Sequence, residues 1–392
     1  MSRPTPQILE LGMHFDPSRG GADRYFAGLV QGLQSSGENI AAAAFGDLEE
    51  SKTISLDQWR KDPSTESPRI LLGPEGMGLW KRRAALRRLG RHLPGSYPVL
   101  ASHFALYAFP LLGQLKTTSL VTHFHGPWAL ESAGEKQKPW VVSIKRLIEH
   151  RVYASAKRLI ALSQAFRDIL IQSYAVPPEK IAVIPGGVDT VHFHPLARDE
   201  ARCRMNWPAE KKIVFCVRRM VHRMGLETLI DAFSRVAAEE PDAILILGGK
   251  GPLLTELQNR TAALGLARRI IFQGFIPDQD LPSAYSAADF SIVPSQALEG
   301  FGLITLESLA CGTPVLVTPV GGLPETVSGL DHRLLLSGDR VEDLTSGMVR
   351  GFSPSLPSRE LCRKYAEKNF AWPEIACRVM KVYQEAADDS LR

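Results

Sequence analysis

Between Ala297 and Leu309 the chain reads ALEGFGLITLESL, placing Glu299 and Glu307 eight residues apart with a Gly-Phe-Gly turn after the first. Gly300 and Gly302 let the backbone bend and approach a ligand, and the first free N–H groups of the helix that follows form a ready anion site. Glu299 precedes that helix and Glu307 lies inside it, about 12 Å away along a straight path at 1.5 Å per residue. The pair suits a ligand with hydroxyl-rich groups at both ends and phosphate between. Spacing alone is a weak signal, because glutamate is a good helix former and common on solvated faces. The context strengthens it. The apolar run 289–295 precedes the segment and 311–318 follows it, giving strand, loop, helix, turn, strand. In an open parallel sheet, ligands bind at the carboxyl ends of strands, where this loop falls.

Other residues offer chemistry. Arg219 follows the apolar run Ile213–Val217, and a guanidinium fork at a strand end can hold diphosphate oxygens bidentately. Gly20 and Gly21 lie between a first strand and a helix starting near Ala22, whose amides would face phosphate. His103, His123 and His125 fall in one region, but their spacing matches no usual zinc pattern and no cysteine or carboxylate cluster joins them, so no metal is expected. Asp278-Gln-Asp280 looks like a metal-binding D-x-D, yet it precedes a helical run, where capping is the expected job.

Positioning these groups takes more than one core. A chain of 392 residues with 44% hydrophobic and 22% charged content reads as two soluble α/β domains. The net charge of +4 is too mild to imply a nucleic-acid partner. Five cysteines without C-x-x-C spacing fit a reduced, cytoplasmic compartment. The start Met-Ser-Arg-Pro-Thr-Pro lacks a signal-peptide core, and the longest apolar run, 104–115, is short for a membrane span and broken by Pro110.

Strands are expected at 8–13, 99–103, 119–123, 158–163 and 181–185, then at 213–217, 243–248, 270–274, 289–294 and 314–319. Amphipathic stretches such as 226–238 alternate with them, so two doubly wound domains follow. The boundary is expected within 187–208, and Lys52 to Pro68 reads as a surface loop.

Taken together the motifs resemble the retaining glycosyltransferases of family 4. They are Gly20-Gly21, His125-Gly-Pro-Trp128, Gly186-Gly-Val-Asp189, Arg218-Arg-Met220 with Gly225, Gly249-Lys-Gly-Pro252, Gly274-Phe-Ile-Pro277 and the Glu299–Glu307 segment. The resemblance implies the GT-B fold, two doubly wound Rossmann-like domains facing across a cleft. It places an acceptor-side domain at 1–195, a donor-binding domain at 196–370 and a closing helix at 371–392 that returns to the first. It implies transfer of a hexose-type sugar from a UDP-, GDP- or ADP-sugar, with retention and without a metal or other cofactor. Arg219 is then the leaving-group arginine, His125 a contact to the donor sugar and Glu299 the holder of its 3- and 4-hydroxyls. Glu307 would bind the ribose hydroxyls, and the amides of Phe301, Gly302, Leu303 and Ile304 would meet sugar and phosphate. Gly249, Gly274 and Ile276 would lie beside the nucleotide.

Two residues depart from the pattern. The family usually has glycine where this chain has Arg218, and lysine where it has Met224. Methionine cannot hold phosphate, so Arg223 is expected to supply the second cation. A non-catalytic or weakly active partner subunit is the alternative that this change raises, and a sugar-nucleotide epimerase or a phosphorylase remains within the same fold. A dinucleotide oxidoreductase is disfavoured, since Gly249-Lys-Gly251 lacks the third glycine, and no P-loop occurs. Residues 79–93 carry Lys81, Arg82, Arg83, Arg87, Arg88 and Arg91 with Leu79, Leu86, Leu89 and Leu93 near one helical face. That helix either packs ordinarily or rests on anionic lipid at the inner membrane face, presenting a lipid-linked acceptor; a glycan is the other acceptor expected.

Overall fold

Strands covered on both faces read as short unbroken apolar runs, because neither side of the pleat meets water. The computed structural model, which describes residues 8–46, 53–61, 68–93, 97–135 and 137–391, turns those runs into two parallel sheets. The chain divides into one unit of residues 1–187 with 372–392 and a second of 188–371, so it passes between them at Gly187 and not at 195. Val188 already belongs to the second unit, pairing with Ala371 and donating its N–H to Phe370 O (2.8 Å).

The first unit holds β1 (Ile8–Leu11), β2 (Ile40–Ala44), β3 (Thr53–Ser55), β4 (Arg69–Leu71), β5 (Val99–Ser102), β6 (Ser119–Phe124), β7 (Arg158–Ala161) and β8 (Ile181–Val183), in the order β3-β4-β2-β1-β5-β6-β7-β8. The second holds β9 (Lys212–Val217), β10 (Ala243–Gly248), β11 (Ile270–Gly274), β12 (Phe290–Val293) and β13 (Val315–Val317), in the order β11-β10-β9-β12-β13.

Three strands were not expected. The run Ile40-Ala-Ala-Ala-Ala44 has weak strand preference, yet every residue of it is buried beside β1, so tertiary burial overrides local propensity. Residues 53–55 and 56–61 form a strand and a helix where a surface loop was expected, because pairing with β4 outweighs their polarity. The rest of that stretch, 52 and 62–67, lies outside the described residues. The helix expected at 226–238 is present as Leu226–Glu239.

The last helix, Trp372–Leu391, packs on the helix Gly21–Ser35 and on β5, β6 and β7 within the first unit. Glycines make room for its first residue. A Cβ at Gly28 would stand 2.2 Å from Trp372 Nε1, and one at Gly187 would stand 2.5 Å from its Cδ2. Since neither contact is sterically allowed, Gly28→Ala should destabilise this unit by about 1–3 kcal/mol through overpacking. Thermal or denaturant unfolding measures it, with a variant as stable as the parent counting against this packing.

Candidate active site

In the second unit the backbone around Glu299 is held from several sides. Leu298 before it has a left-handed φ of 53°, a strained conformation for a branched residue, and Arg223 Nη1 donates to the Leu298 carbonyl at 3.3 Å. Gly321, with φ 57°, lets the next loop come close: a Cβ there would sit 1.9 Å from Glu299 O, and Gly322 N–H donates to that same oxygen at 3.0 Å. The backbone on both sides of the carboxylate is thereby fixed.

Arg218 fixes the carboxylate itself. Its Nη2 bonds to Glu299 Oε2, lies 2.6 Å from Ser295 Oγ and 2.6 Å from Met224 Sδ, and Ser295 Oγ donates to the same carboxylate at 3.0 Å. Arg218 is buried, and its Nε has no partner among the described residues. Burial alone would raise the Glu299 carboxyl, but Arg218, Ser295 and the charge of Arg223 hold it below the usual carboxylate range. The cation aimed at the end of Met224 therefore comes from the position where a glycine was expected. Arg223, expected to replace the lysine, lies near enough to bias Glu299 while holding the strained loop. Arg219 follows β9 with an exposed side chain. Gly249 has φ 115°, and a Cβ there would stand 2.0 Å from Arg218 O, so this glycine permits the close approach that sets Arg218 in place.

Beyond Glu299, Gly300 and Phe301 are buried and Gly302, at φ 81°, opens the helix Leu303–Ala310 with no side-chain cap. Leu303 and Ile304 are half-buried in its first turn. Glu307 is only 3% exposed, and its Oε2 accepts from the Tyr285 hydroxyl at 2.9 Å. Gly274 accepts from Gly249 N–H at 2.7 Å, and Ile276 is buried against Gly248. The Asp278–Asp280 segment does not cap the next helix as expected. Asp280 pairs with Arg204 at 2.9 Å and Asp278 lies 3.3 Å from His192 Nε2, partners that take the carboxylates away from the helix amides.

In the first unit a different cluster forms. Parallel partners point to the same side of a sheet, and Glu10 pairs with Ala101, which pairs with Val121. Counting in twos puts Glu10, His103, His123 and His125 on one face. The imidazoles stack, His103 on His123 at 4.2 Å between centroids and on His125 at 5.2 Å. Glu10 Oε2 lies 2.8 Å from His103 Nε2, and His103 Nδ1 lies 3.0 Å from His125 Nε2. The Tyr383 hydroxyl donates to Glu10 Oε1 at 2.7 Å and lies 2.6 Å from His123 Nε2.

Here a carboxylate does join the histidines, contrary to expectation, because the register brings a residue 93 positions away in sequence beside His103. Ligand atoms of Glu10, His103 and His123 lie within 4.8 Å of one another, a spacing compatible with a metal ion. Most of the donor atoms already hydrogen-bond to one another or to Tyr383, while His123 Nδ1 has no partner among the described residues. Burial pushes the Glu10 carboxyl up to about 8 and pulls His103 down to about 3, while burial and the neighbouring imidazole lower His125. His125 is half-buried, so part of its ring reaches the surface.

Gly20 caps the helix Gly21–Ser35, a 3-10 turn at Pro17–Arg19 intervenes after β1, and the space around both glycines is open. The helix Leu79–Gly90 buries Leu86 and Leu89 and is followed by the buried Leu93, as an ordinary packed helix would. Leu79 is not on that face. It and Trp80 are 63% and 78% exposed at the helix start, ahead of the first buried turn.

Sequence reading missed Glu10, Arg218, Tyr285 and Tyr383. A lone glutamate inside the apolar run Ile8–Leu11 was a usable signal for the first.

Comparisons with known proteins bear on the family and the fold. Residues 19–192 match the family described as Glycosyltransferase Family 4, and 197–369 match Glycosyl transferases group 1. D-inositol 3-phosphate glycosyltransferase from Actinosynnema mirum is 30% identical over 329 residues, covering 77% of this chain and 76% of that protein. Mannosylfructose-phosphate synthase from Agrobacterium fabrum is 33% identical over 257 residues, of which the chain spans only 56% of that relative's length. Among solved structures, sucrose-phosphate synthase from Thermosynechococcus elongatus superposes with a TM-score of 0.77 at 23% identity, over 96% of this chain and 98% of that one. Anabaena HepE in complex with UDP and glucose gives 0.75 at 20% identity, over 96% and 99%. With the two parallel sheets and this glutamate-anchored loop, the matches establish that the chain belongs to the group 1, family 4 glycosyltransferases of the GT-B fold.

Proposed function

We propose that this glycosyltransferase moves a hexose-type sugar from a nucleotide diphosphate sugar to a glycan or lipid-linked acceptor, with retention and without a metal, in surface polysaccharide or glycolipid assembly. The observation that carries the reading is the Arg218-bound Glu299 standing immediately before an uncapped helix start. An ionised carboxylate accepts hydroxyl donors, and the free amides beside it favour phosphate, so the loop offers both halves of such a donor a partner.

The roles follow from the side chains. Glu299 accepts from two sugar hydroxyls. Phe301 to Ile304 offer amides to sugar and phosphate, and Glu307, oriented by Tyr285, takes the ribose. Gly249, Gly274 and Ile276 line the nucleotide side. Arg219, exposed just after β9, is assigned to the diphosphate, where negative charge grows as the glycosidic bond breaks. The departing phosphate then helps take the acceptor's proton during attack from the same face. His125 offers a ring nitrogen to a sugar hydroxyl, and Gly20 and Gly21 open a helix start to phosphate. The methionine at 224 raised the alternative of a non-catalytic subunit, but the Arg218 guanidinium ending at that sulfur supports an active enzyme.

Three outcomes test this. Incubation with UDP-, GDP- and ADP-sugars should release the diphosphate from one of them and raise the melting temperature with it; Arg219→Ala should cut turnover by about 10² to 10³. An Arg219→Ala enzyme with parental turnover, or a parent that binds none of the donors, would defeat the assignment.

Removing Arg218 leaves burial unopposed at Glu299, raising its pKa. The ionised form, present above the folded-state pKa, would then be lost at higher pH, so Arg218→Met should move the acidic limb of the kcat/KM profile upward. An unmoved limb would count against the ion pair.

The third concerns the acceptor side. A basic helix tipped by exposed Leu79 and Trp80 suits contact with anionic lipid, although no described helix is long and apolar enough to cross a membrane. The protein should sediment with anionic vesicles at low salt, and Trp80→Ser should weaken that binding by about tenfold, the loss of one inserted aromatic. Absence of sedimentation removes the membrane contact.

A further inference from the structure

His125 is the only one of the clustered imidazoles that is half-exposed, and the bonds behind it decide what it can offer a ligand. A neutral imidazole carries one N–H, so a donor at one nitrogen makes the other an acceptor. Here the atoms run in a line from Glu10 Oε2 to His103 Nε2, across that ring to Nδ1, then to His125 Nε2 and across to His125 Nδ1. His125 Nδ1 has no hydrogen-bond partner among the described residues. We propose that Glu10 and His103 are positioning residues that set the tautomer of His125, so that the proton on one buried carboxyl decides whether His125 Nδ1 donates to or accepts from a sugar hydroxyl. The sugar as ligand rests on the function proposed above; the relay does not.

Two proton arrangements satisfy the line. With Glu10 ionised, His103 Nε2–H donates to it, His103 Nδ1 accepts from His125 Nε2–H, and His125 Nδ1 is a bare acceptor. With Glu10 protonated, its O–H donates to His103 Nε2, His103 Nδ1–H donates to His125 Nε2, and His125 Nδ1 carries the outer N–H. The second arrangement holds one proton more, on Glu10, and both rings are neutral in each. Neutral rings agree with the downward shifts of His103 and His125. Tyr383 donates to the other carboxylate oxygen in both arrangements, which leaves Oε2 to His103. His123 is a spur off the line: its Nδ1 is buried without a partner among the described residues, so its proton is on Nε2, donated to Tyr383.

Other groups facing the carboxyl are few. Tyr25, from the helix Gly21–Ser35, feels its charge and that of Arg378 from the last helix, and its ring sits edge-on to His125 at 4.9 Å. Tyr383 and Arg378 share that last helix, and His123 comes from β6. Burial is the main influence, raising Glu10 to about 8 against the Tyr383 hydrogen bond. The carboxyl therefore keeps its proton below that pH, where the outer nitrogen of His125 is a donor, and the donor is lost as pH rises through it.

Glu10→Gln isolates the effect without a change of shape. The amide N–H donates permanently to His103 Nε2 and its oxygen still accepts from Tyr383, so the outer N–H of His125 should persist at all pH values. The experiment labels the full chain with 15N-histidine and reads tautomers from long-range 1H–15N correlations, alongside kcat/KM from pH 6 to 10. The parent should change His125 from Nδ1–H to Nε2–H near pH 8 and lose about tenfold in kcat/KM between pH 7 and 9, as a single titration centred there dictates. Glu10→Gln should hold the Nδ1–H form and abolish that loss. A His125 tautomer that is the same in parent and Glu10→Gln at every pH overturns the relay. A tautomer that follows Glu10 while kcat/KM does not confirms the relay and overturns the contact between His125 and the sugar.

Discussion

Parallel pairing is the constraint on which the chemistry depends. When all strands of a sheet run the same way, their carboxyl ends share one edge and partnered residues share one face. In the first unit this alone gathers a glutamate from β1 and imidazoles from the ends of β5 and β6, three segments far apart in sequence. In the second it delivers the β9 exit, with its arginines, and the β12 exit, with Glu299, to one place, since β9 and β12 are adjacent. A one-residue slip in either register would turn these side chains to the opposite face.

The ion pair in the second unit gives the departures at Arg218 and Met224 a common structural setting. Two substitutions at once, arginine for a small residue and methionine for a basic one, look like damage when each is taken alone. In the folded chain the guanidinium reaches across to the thioether, and Gly249 lets the neighbouring loop close against the Arg218 backbone. Arg218 and Arg223 together keep positive charge beside Glu299. The carboxylate remains ionised despite burial, which a methionine alone could not secure.

Much of this was legible in the amino acids. Apolar runs marked ten of the strands, and turn glycines with flanking acids marked the Glu299 loop, since both are local patterns. What escaped notice depends on distance in sequence. After Ile40 the strand Ile40–Ala44 is all alanine, a residue that prefers helices, and its burial beside β1 makes it a strand. Arg218 registered as a departure because its partners, Ser295 and Glu299, lie some 80 positions later and no pattern of spacing links them. Tyr383 is 373 positions from Glu10, beyond any local reading.

That separation bears on how the chain is made. Synthesis runs from the amino to the carboxyl end, so the first sheet emerges while the segment that completes it is still unwritten. Until Trp372 and Tyr383 leave the ribosome, Gly28 and Gly187 face a gap and the Glu10 carboxyl has lost one of its two hydrogen-bond partners. The nascent first unit therefore waits, incompletely packed, through translation of the whole of 188–371. Ribosome-bound chains should gain full protease resistance in the second unit before the first, an order opposite to that of their sequence.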